Sequence, residues 1–149
     1  MSRNMVIREM TEADLADVCM IEQETFSEPW SREDFASALE NPNNKYLVAE
    51  EGVIIGYCGY WGIAGEGNIY NVAVKKEYRR KKVAYKLLSE LIRVAKDQGV
   101  GSLTLEVRKS NQAALCLYES LGFQKEGIRK DFYQKPMEDA VIMWLRPIQ

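Results

Sequence analysis

Any proton transfer in this chain must be done without histidine, because none of its 149 residues is one. That removes a Ser-His-Asp triad, a Cys-His pair and the commonest zinc ligand together. Carboxylates and phenols remain, and Glu106 and Tyr118 are the two whose settings invite a role. Glu106 alternates with Leu105 and Val107 in an extended run, so it projects to the face opposite theirs. A carboxylate there is either a solvated or ion-paired surface group or, if desolvated, a usable general base. Tyr118 lies at helical spacing with Ala114, Leu117 and Leu121. That spacing fits a core tyrosine as well as it fits a proton donor. Asn111 stands just ahead of the same apolar run, where an N-cap belongs.

A second chemical signal is positive charge. Lys75, Lys76, Arg79, Arg80, Lys81 and Lys82 fall within eight residues of a chain whose formal net charge is −2. Such a run is often no more than a solvated face. This one lies between the end of a strand pattern and the start of a long helix pattern. Helix N-termini carry unpaired N–H groups and the positive end of the dipole, so a cationic strand-to-helix turn suits a pyrophosphate. Nucleic acid is a weaker reading, since Tyr78 and Tyr85 are the only interleaved aromatics and the whole chain is slightly acidic. The three cysteines, Cys19, Cys58 and Cys116, are far apart and form no CxxC pair. They read as small buried apolar residues rather than as a metal or redox site.

The elements that must position these groups follow from periodicity. A chain of this length reads as one domain, residues 1–149, large enough to fold around its own core. Met5–Arg8 reads as a first strand. Thr11 and Asp14 resemble a capping box ahead of a helix with Leu15, Val18, Cys19, Glu22 and Phe26 on one stripe. Ser27–Trp30 breaks it, and Ser31 with Asp34 caps a second helix that stops at Asn41-Pro42. Tyr46–Ala49 and Val53–Tyr57, the latter running on to Trp61, read as strands joined at Glu51-Gly52. Gly62–Gly67 reads as a loop and Asn68–Val74 as a strand. A long helix is predicted over Ala84–Asp97 with Gly99 as its stop. Leu103–Val107 is predicted as a strand, Asn111–Leu121 as a helix, Gly122-Phe123 as the start of an extended segment and Ala140–Leu145 as a closing strand. This order predicts a mixed α/β sheet with helices on both faces. The N-terminus has no signal-peptide pattern and no run is long enough to cross a membrane, so the expectation is a soluble cytoplasmic protein.

Asn71-Val72-Ala73-Val74 followed by Tyr78-Arg79-Arg80-Lys81-Lys82-Val83-Ala84 resembles the acetyl-CoA motif of the GNAT superfamily of N-acetyltransferases, Arg/Gln-x-x-Gly-x-Gly/Ala. Arg79 fills its first position and Ala84 its last, while Lys82 stands where the motif has glycine. Leu103–Arg108, Ser110-Asn111, Ala114–Phe123, the loop Phe26–Ser31 and the tail Glu138–Trp144 together resemble the ribosomal-protein-alanine N-acetyltransferases of that superfamily. The similarity spans nearly the whole chain. It implies a mostly antiparallel sheet of about six or seven strands flanked by about four helices.

The resemblance also implies an activity. Acetyl would pass from acetyl-CoA to the α-amino group of an N-terminal alanine on a ribosomal protein, directly, in a ternary complex and without metal. It assigns the general base to Glu106 and the general acid to Tyr118, whose phenol, with a pKa near 10, reasonably matches a departing thiol of about 8.5. It implies that Val72, Ala73 and Val74 offer backbone groups to the acetyl and pantetheine portion. Arg79, Arg80, Lys81, Lys82, Val83, Ala84 and Tyr85 would hold the phosphates, and Asn111 would contact the cofactor. Lys82 in left-handed geometry would cost about 1–2 kcal/mol. Trp30, Phe132 and Tyr133, in loop-like contexts, either line the peptide site or cover the edge of the core. No nucleic acid or membrane partner is implied. Other readings are acetylation of a small-molecule amine or a lysine side chain, and a catalytically weak CoA-binding regulatory module.

Overall fold

The computed structural model describes residues 4–148. In chain order they form β1 (Val6–Glu9), a 3-10 turn (Glu12–Asp14), α1 (Leu15–Thr25), α2 (Arg32–Glu40), β2 (Lys45–Glu50), β3 (Ile54–Ile63) and β4 (Glu66–Val74). There follow a second 3-10 turn (Lys76–Tyr78), α3 (Val83–Asp97), β5 (Ser102–Arg108), α4 (Gln112–Ser120), β6 (Gln124–Tyr133) and β7 (Glu138–Leu145). The strands make one 7-stranded sheet in the order β1-β2-β3-β4-β5-β7-β6. Every neighbouring pair is antiparallel except β4 with β5. The expected mixed, mostly antiparallel sheet is therefore what the chain builds.

The central strands are apolar on both sides because both sides are covered. Leu47, Ala49, Ile55 and Cys58 face a core shared with α3 and α4, whereas Tyr46, Val48, Tyr57 and Ala73 face one shared with α1 and α2. Leu87, Leu88, Leu91 and Ala95 of α3 have no exposed surface at all. Each buried leucine contributes about 1.5–3 kcal/mol, so α3 is firmly seated and the position of its N-terminus is fixed. Local signals agree with the packing. Ser31 Oγ accepts from Asp34 N at 3.1 Å and the Asp34 carboxylate accepts from Ser31 N at 2.9 Å, which caps α2. Ahead of α1 the capping residues produce a 3-10 turn first. The Asp14 carboxylate there accepts from Thr11 N at 2.8 Å and from both terminal nitrogens of Arg8 at 2.9 Å.

Some expectations are corrected. Gly62–Gly67 is not a loop: β3 and β4 run through it and turn at Ala64-Gly65, with φ of 51° and 80°. Two positive φ values in a two-residue turn match strand twist. The flanking glycines serve close approach, since a Cβ would lie 2.4 Å from the Asn43 carbonyl oxygen at Gly62 and 2.6 Å from Leu103 at Gly67. Only Cys58 of the three cysteines is buried; Cys19 is half-buried and Cys116 exposed. Phe132 and Tyr133 are not in a loop but end β6, the outermost strand, most of which is exposed. No helix among the described residues is long and apolar enough to cross a membrane.

Candidate functional site

The site begins with a ladder that stops. β4 and β5 pair only at Glu66, Gly67 and Asn68 against Ser102, Leu103 and Thr104. Beyond that, β5 continues to Arg108 bound only to β7, and β4 continues to Val74 bound only to β3. A bulge accompanies the separation: Gly59 faces Asn71 and Tyr60 faces Ile69, leaving Tyr70 as the extra residue on β4. Bulges bend the strand that carries them. The result is a gap in the middle of the sheet, with one backbone edge of Val72, Ala73 and Val74 open to it. Their side chains are core, Val72 and Val74 toward α3 and Ala73 toward α1 and α2.

The basic segment closes one end of this gap. Arg79 Nε donates to the Val74 carbonyl at 3.0 Å, tying the loop to the end of β4. Arg80 and Lys82 are both left-handed, with φ of 65° and 63°. Lys82 is the N-cap of α3, and its own carbonyl accepts from Lys86 N at 3.0 Å. Among the described residues, the N–H groups of residues 80–85 have no acceptor. Alternating hands turn successive N–H groups inward, a concavity suited to anions. The lysine thus adopts the backbone conformation expected of the motif's glycine. Lys81 lies over the Tyr78 ring at 5.6 Å, and Tyr85 is exposed on the first turn of α3. None of the six cations from Lys75 to Lys82 forms an ion pair among the described residues, so their field is left for a ligand.

Glu106 and Tyr118 approach the gap from opposite faces. Leu103, Leu105 and Val107 belong to the α3–α4 core, so Glu106 projects to the α1–α2 side. Its side chain is 22% exposed and 4.0 Å from Arg129 Nε of β6. Tyr133 is close by: burial first, and then the Glu106 charge, push its phenol up to about 12, opposed by Arg108, which stacks on its ring at 4.5 Å. Tyr118, on α4, is 8% exposed and packs edge-on to Phe123 at 5.7 Å. Burial, then the neighbouring Cys58 and Tyr133, push its phenol well above 10. The simple match between an ordinary phenol and an ordinary thiol is therefore corrected. Tyr118 is a weaker acid than expected, and one that stays protonated across the neutral range. Its hydroxyl has no hydrogen-bond partner among the described residues, and it is not sealed from solvent.

The remaining candidates sort by contact. Asn111 caps α4, its Oδ1 accepting from Ala114 N at 3.1 Å. Trp30 is wedged between Phe35, Tyr46 and Trp61, at 5.1, 6.3 and 6.4 Å. Its backbone N–H donates to the buried Glu22 carboxylate at 3.0 Å, and the Tyr57 hydroxyl donates to the same carboxylate. Trp30 is thus chiefly core, and this network ties the loop between α1 and α2 to β2 and β3. Phe132, half exposed, packs edge-on against Tyr133 at 5.0 Å near the end of β6. Sequence reasoning passed over Tyr46, Trp61 and Asn71, which form a hydrogen-bonded chain beside the bulge. They come from three strands, and no local pattern links them.

Comparison with known proteins bears on this arrangement. A model of the acetyltransferase (GNAT) family matches residues 15–123. A Bacillus subtilis protein with the provisional name ribosomal protein bS18-alanine N-acetyltransferase is 39% identical over 147 residues, 97% of each chain. The Escherichia coli ribosomal protein bS18-alanine N-acetyltransferase is 37% identical over 144 residues, 93% of this chain and 95% of that one. The crystal structure of the Escherichia coli ribosomal-protein-S18-alanine N-acetyltransferase superposes with a TM-score of 0.89 at 35% identity, covering 98% of this chain and 95% of the other.

Proposed function

The chain belongs to the acetyltransferase (GNAT) family, and from that premise we propose that it acetylates the α-amino group of an N-terminal alanine on a ribosomal protein. The observation that carries this reading is the gap between β4 and β5, which has a carboxylate on one face and a phenol on the other. An amine and a thioester entering from opposite faces would meet there. The residues fit acetyl-CoA: unpaired N–H groups at residues 80–85 for the phosphates, and an open backbone edge on β4 for the amide-bearing arm.

Acetyl-CoA supplies an activated acyl carbon and a thiolate leaving group. Glu106 accepts the amine proton, through water, as nitrogen bonds to the thioester carbonyl carbon. Tyr118 gives its phenolic proton to sulfur as the carbon–sulfur bond breaks, and recovers one from solvent. Its raised pKa opposes this transfer on ground-state values, but the burial that raises the phenol raises a thiol beside it too. Arg79 and Lys82 shape the phosphate loop, and Asn111 caps the start of α4. Direct transfer is the route that a carboxylate and a phenol facing one gap support, since it needs no acyl-enzyme nucleophile. The substrate is a protein terminus rather than a polyamine or lysine side chain, as the names of relatives along the full chain indicate. The chain acts as one domain and without metal, in the cytoplasm.

Thiol release tests the reading. An alanine-starting peptide should support turnover, whereas the same peptide blocked at its α-amine, and a polyamine, should not. Equal turnover of the polyamine would overturn the substrate class, and acetyl-CoA binding with no turnover of any amine would favour a regulatory module.

A further inference from the structure

Asn71 is only 2% exposed, yet its amide group has a free end. It lies on β4 next to the bulged Tyr70 and shares a face with Ala73, which packs toward α1 and α2. The orientation of its carboxamide is the one that gives the Tyr46 proton an acceptor. Trp61 Nε1 can only donate, and it donates to Tyr46 Oη at 3.2 Å. The single Tyr46 proton is therefore free to go to Asn71 Oδ1, at 2.7 Å. The oxygen of Asn71 is held toward Tyr46, and its NH2 is turned away.

Among the described residues that NH2 has no acceptor. Buried donors are almost always paired, and the only fully enclosed side-chain polar atom without a partner among the described residues is Tyr60 Oη. The Asn71 NH2 therefore opens on a space that water reaches. On one flank of Asn71 its register partner Gly59 is roofed by the Tyr46 ring, which an added Cβ would meet at 2.2 Å. On the other flank lies the gap left by β5, and Glu106 stands across it on the same face.

We propose that Asn71 binds the acceptor substrate, its NH2 donating a hydrogen bond to the carbonyl oxygen of the substrate's first residue. Tyr46 and Trp61 are its positioning residues. The chemistry selects this partner: two N–H donors suit a carbonyl oxygen and do not suit an ammonium. Holding that carbonyl orients the adjacent α-amine toward Glu106, and it favours an amine that is followed by an amide over a simple alkylamine. The inference rests on the N-terminal acceptor reading above.

The test compares an alanine-starting peptide with its analogue in which an E-alkene replaces the first peptide bond, which removes the carbonyl acceptor together with the amide N–H; an ester in place of the same bond, which keeps a carbonyl and loses only the N–H, controls for the second loss. The unaltered chain should prefer the peptide in kcat/KM. In N71A that preference should shrink by roughly three- to tenfold, the worth of one hydrogen bond, with acetyl-CoA KM unchanged. N71A leaves the Tyr46 hydroxyl without an acceptor, so N71D, which keeps that oxygen and loses the donor, is the second variant and should shrink the preference as much. Y46F should shrink it partly. An unchanged preference in N71D, with both acceptors slowed alike, would overturn the proposal and leave the acceptor reading standing. If the unaltered chain does not turn over the peptide at all, both fall.

Discussion

Glu106 and Tyr118 lie on different elements and face the gap from opposite sides, so their substitutions should separate cleanly. Glu106→Gln keeps shape and removes basicity. Turnover of an alanine-starting peptide should fall by about 10²–10⁴-fold, while calorimetry shows acetyl-CoA binding little changed; undiminished turnover would take Glu106 out of the role. Tyr118→Phe removes a hydroxyl that has no partner among the described residues, so the melting temperature should stay within a few degrees. Turnover should drop, and because the phenol titrates well above 10, the pH profile of the unaltered chain should show no loss from Tyr118 ionisation below pH 10. A variant with normal turnover would mean that the thiolate is protonated from elsewhere. The placement of both was legible in the sequence, the face of Glu106 from strand alternation and the helix of Tyr118 from apolar spacing, whereas their proposed roles rest on the family resemblance. Asn71 was not, because what makes it unusual is a bond to Tyr46, 25 residues away, and a β-bulge that no residue type announces.

Among the elements, the loop leading into α3 carries the clearest conflict between sequence and geometry. Lys82 occupies a left-handed conformation at φ 63°, worth about 1–2 kcal/mol of strain for a residue with a Cβ. Lys82→Gly relieves that strain and adds unfolded-state entropy of about 1 kcal/mol, so stability should hardly move. The backbone N–H groups persist in either case, so acetyl-CoA affinity should change by less than about tenfold, or 1.4 kcal/mol. Calorimetry at two salt concentrations checks this; a larger loss that shrinks at high salt would make the ammonium a principal phosphate ligand. The turn before α1 gives a pH dependence. Arg8 first, and the Thr11 backbone N–H after it, lower the Asp14 pKa against the opposing effect of burial. A lowered folded-state pKa means stability that is complete above the unfolded value near 3.9 and lost as pH falls through the folded one. Asp14→Asn should cost about 1–3 kcal/mol at pH 7 by urea unfolding, and the difference from the unaltered chain should narrow below pH 4.

At the scale of the whole molecule, the order of elements was readable because each central strand and each long helix keeps its own period. Where reading failed, the cause was tertiary. Gly62 and Gly67 read as loop punctuation because their real constraint, contact with Asn43 and Leu103, is not local. The far end of β6 was taken for loop because its polar residues describe an edge, not a core strand. Charge distribution is the other property of the whole. The chain's formal net charge is −2, yet one end of the gap is strongly cationic. Raising ionic strength from 0.1 to 1 M shortens the screening length from about 10 to 3 Å, so acetyl-CoA should bind more weakly while the melting temperature is nearly unchanged; salt-independent binding would mean the cations are spectators. β6 has a consequence of its own. It leaves one row of backbone donors and acceptors free along the sheet's last strand, the kind of template on which a second chain can crystallise into a fibril. Lys125, Glu126, Arg129, Lys130 and Asp131 crowd charge onto that strand, and its register with β7 breaks twice. What looks like a sparsely packed margin is therefore a guard: replacing Lys125, Glu126, Lys130 and Asp131 with threonine or valine, while keeping the Arg129 that faces Glu106, should promote self-association, seen as a rise in light scattering with time.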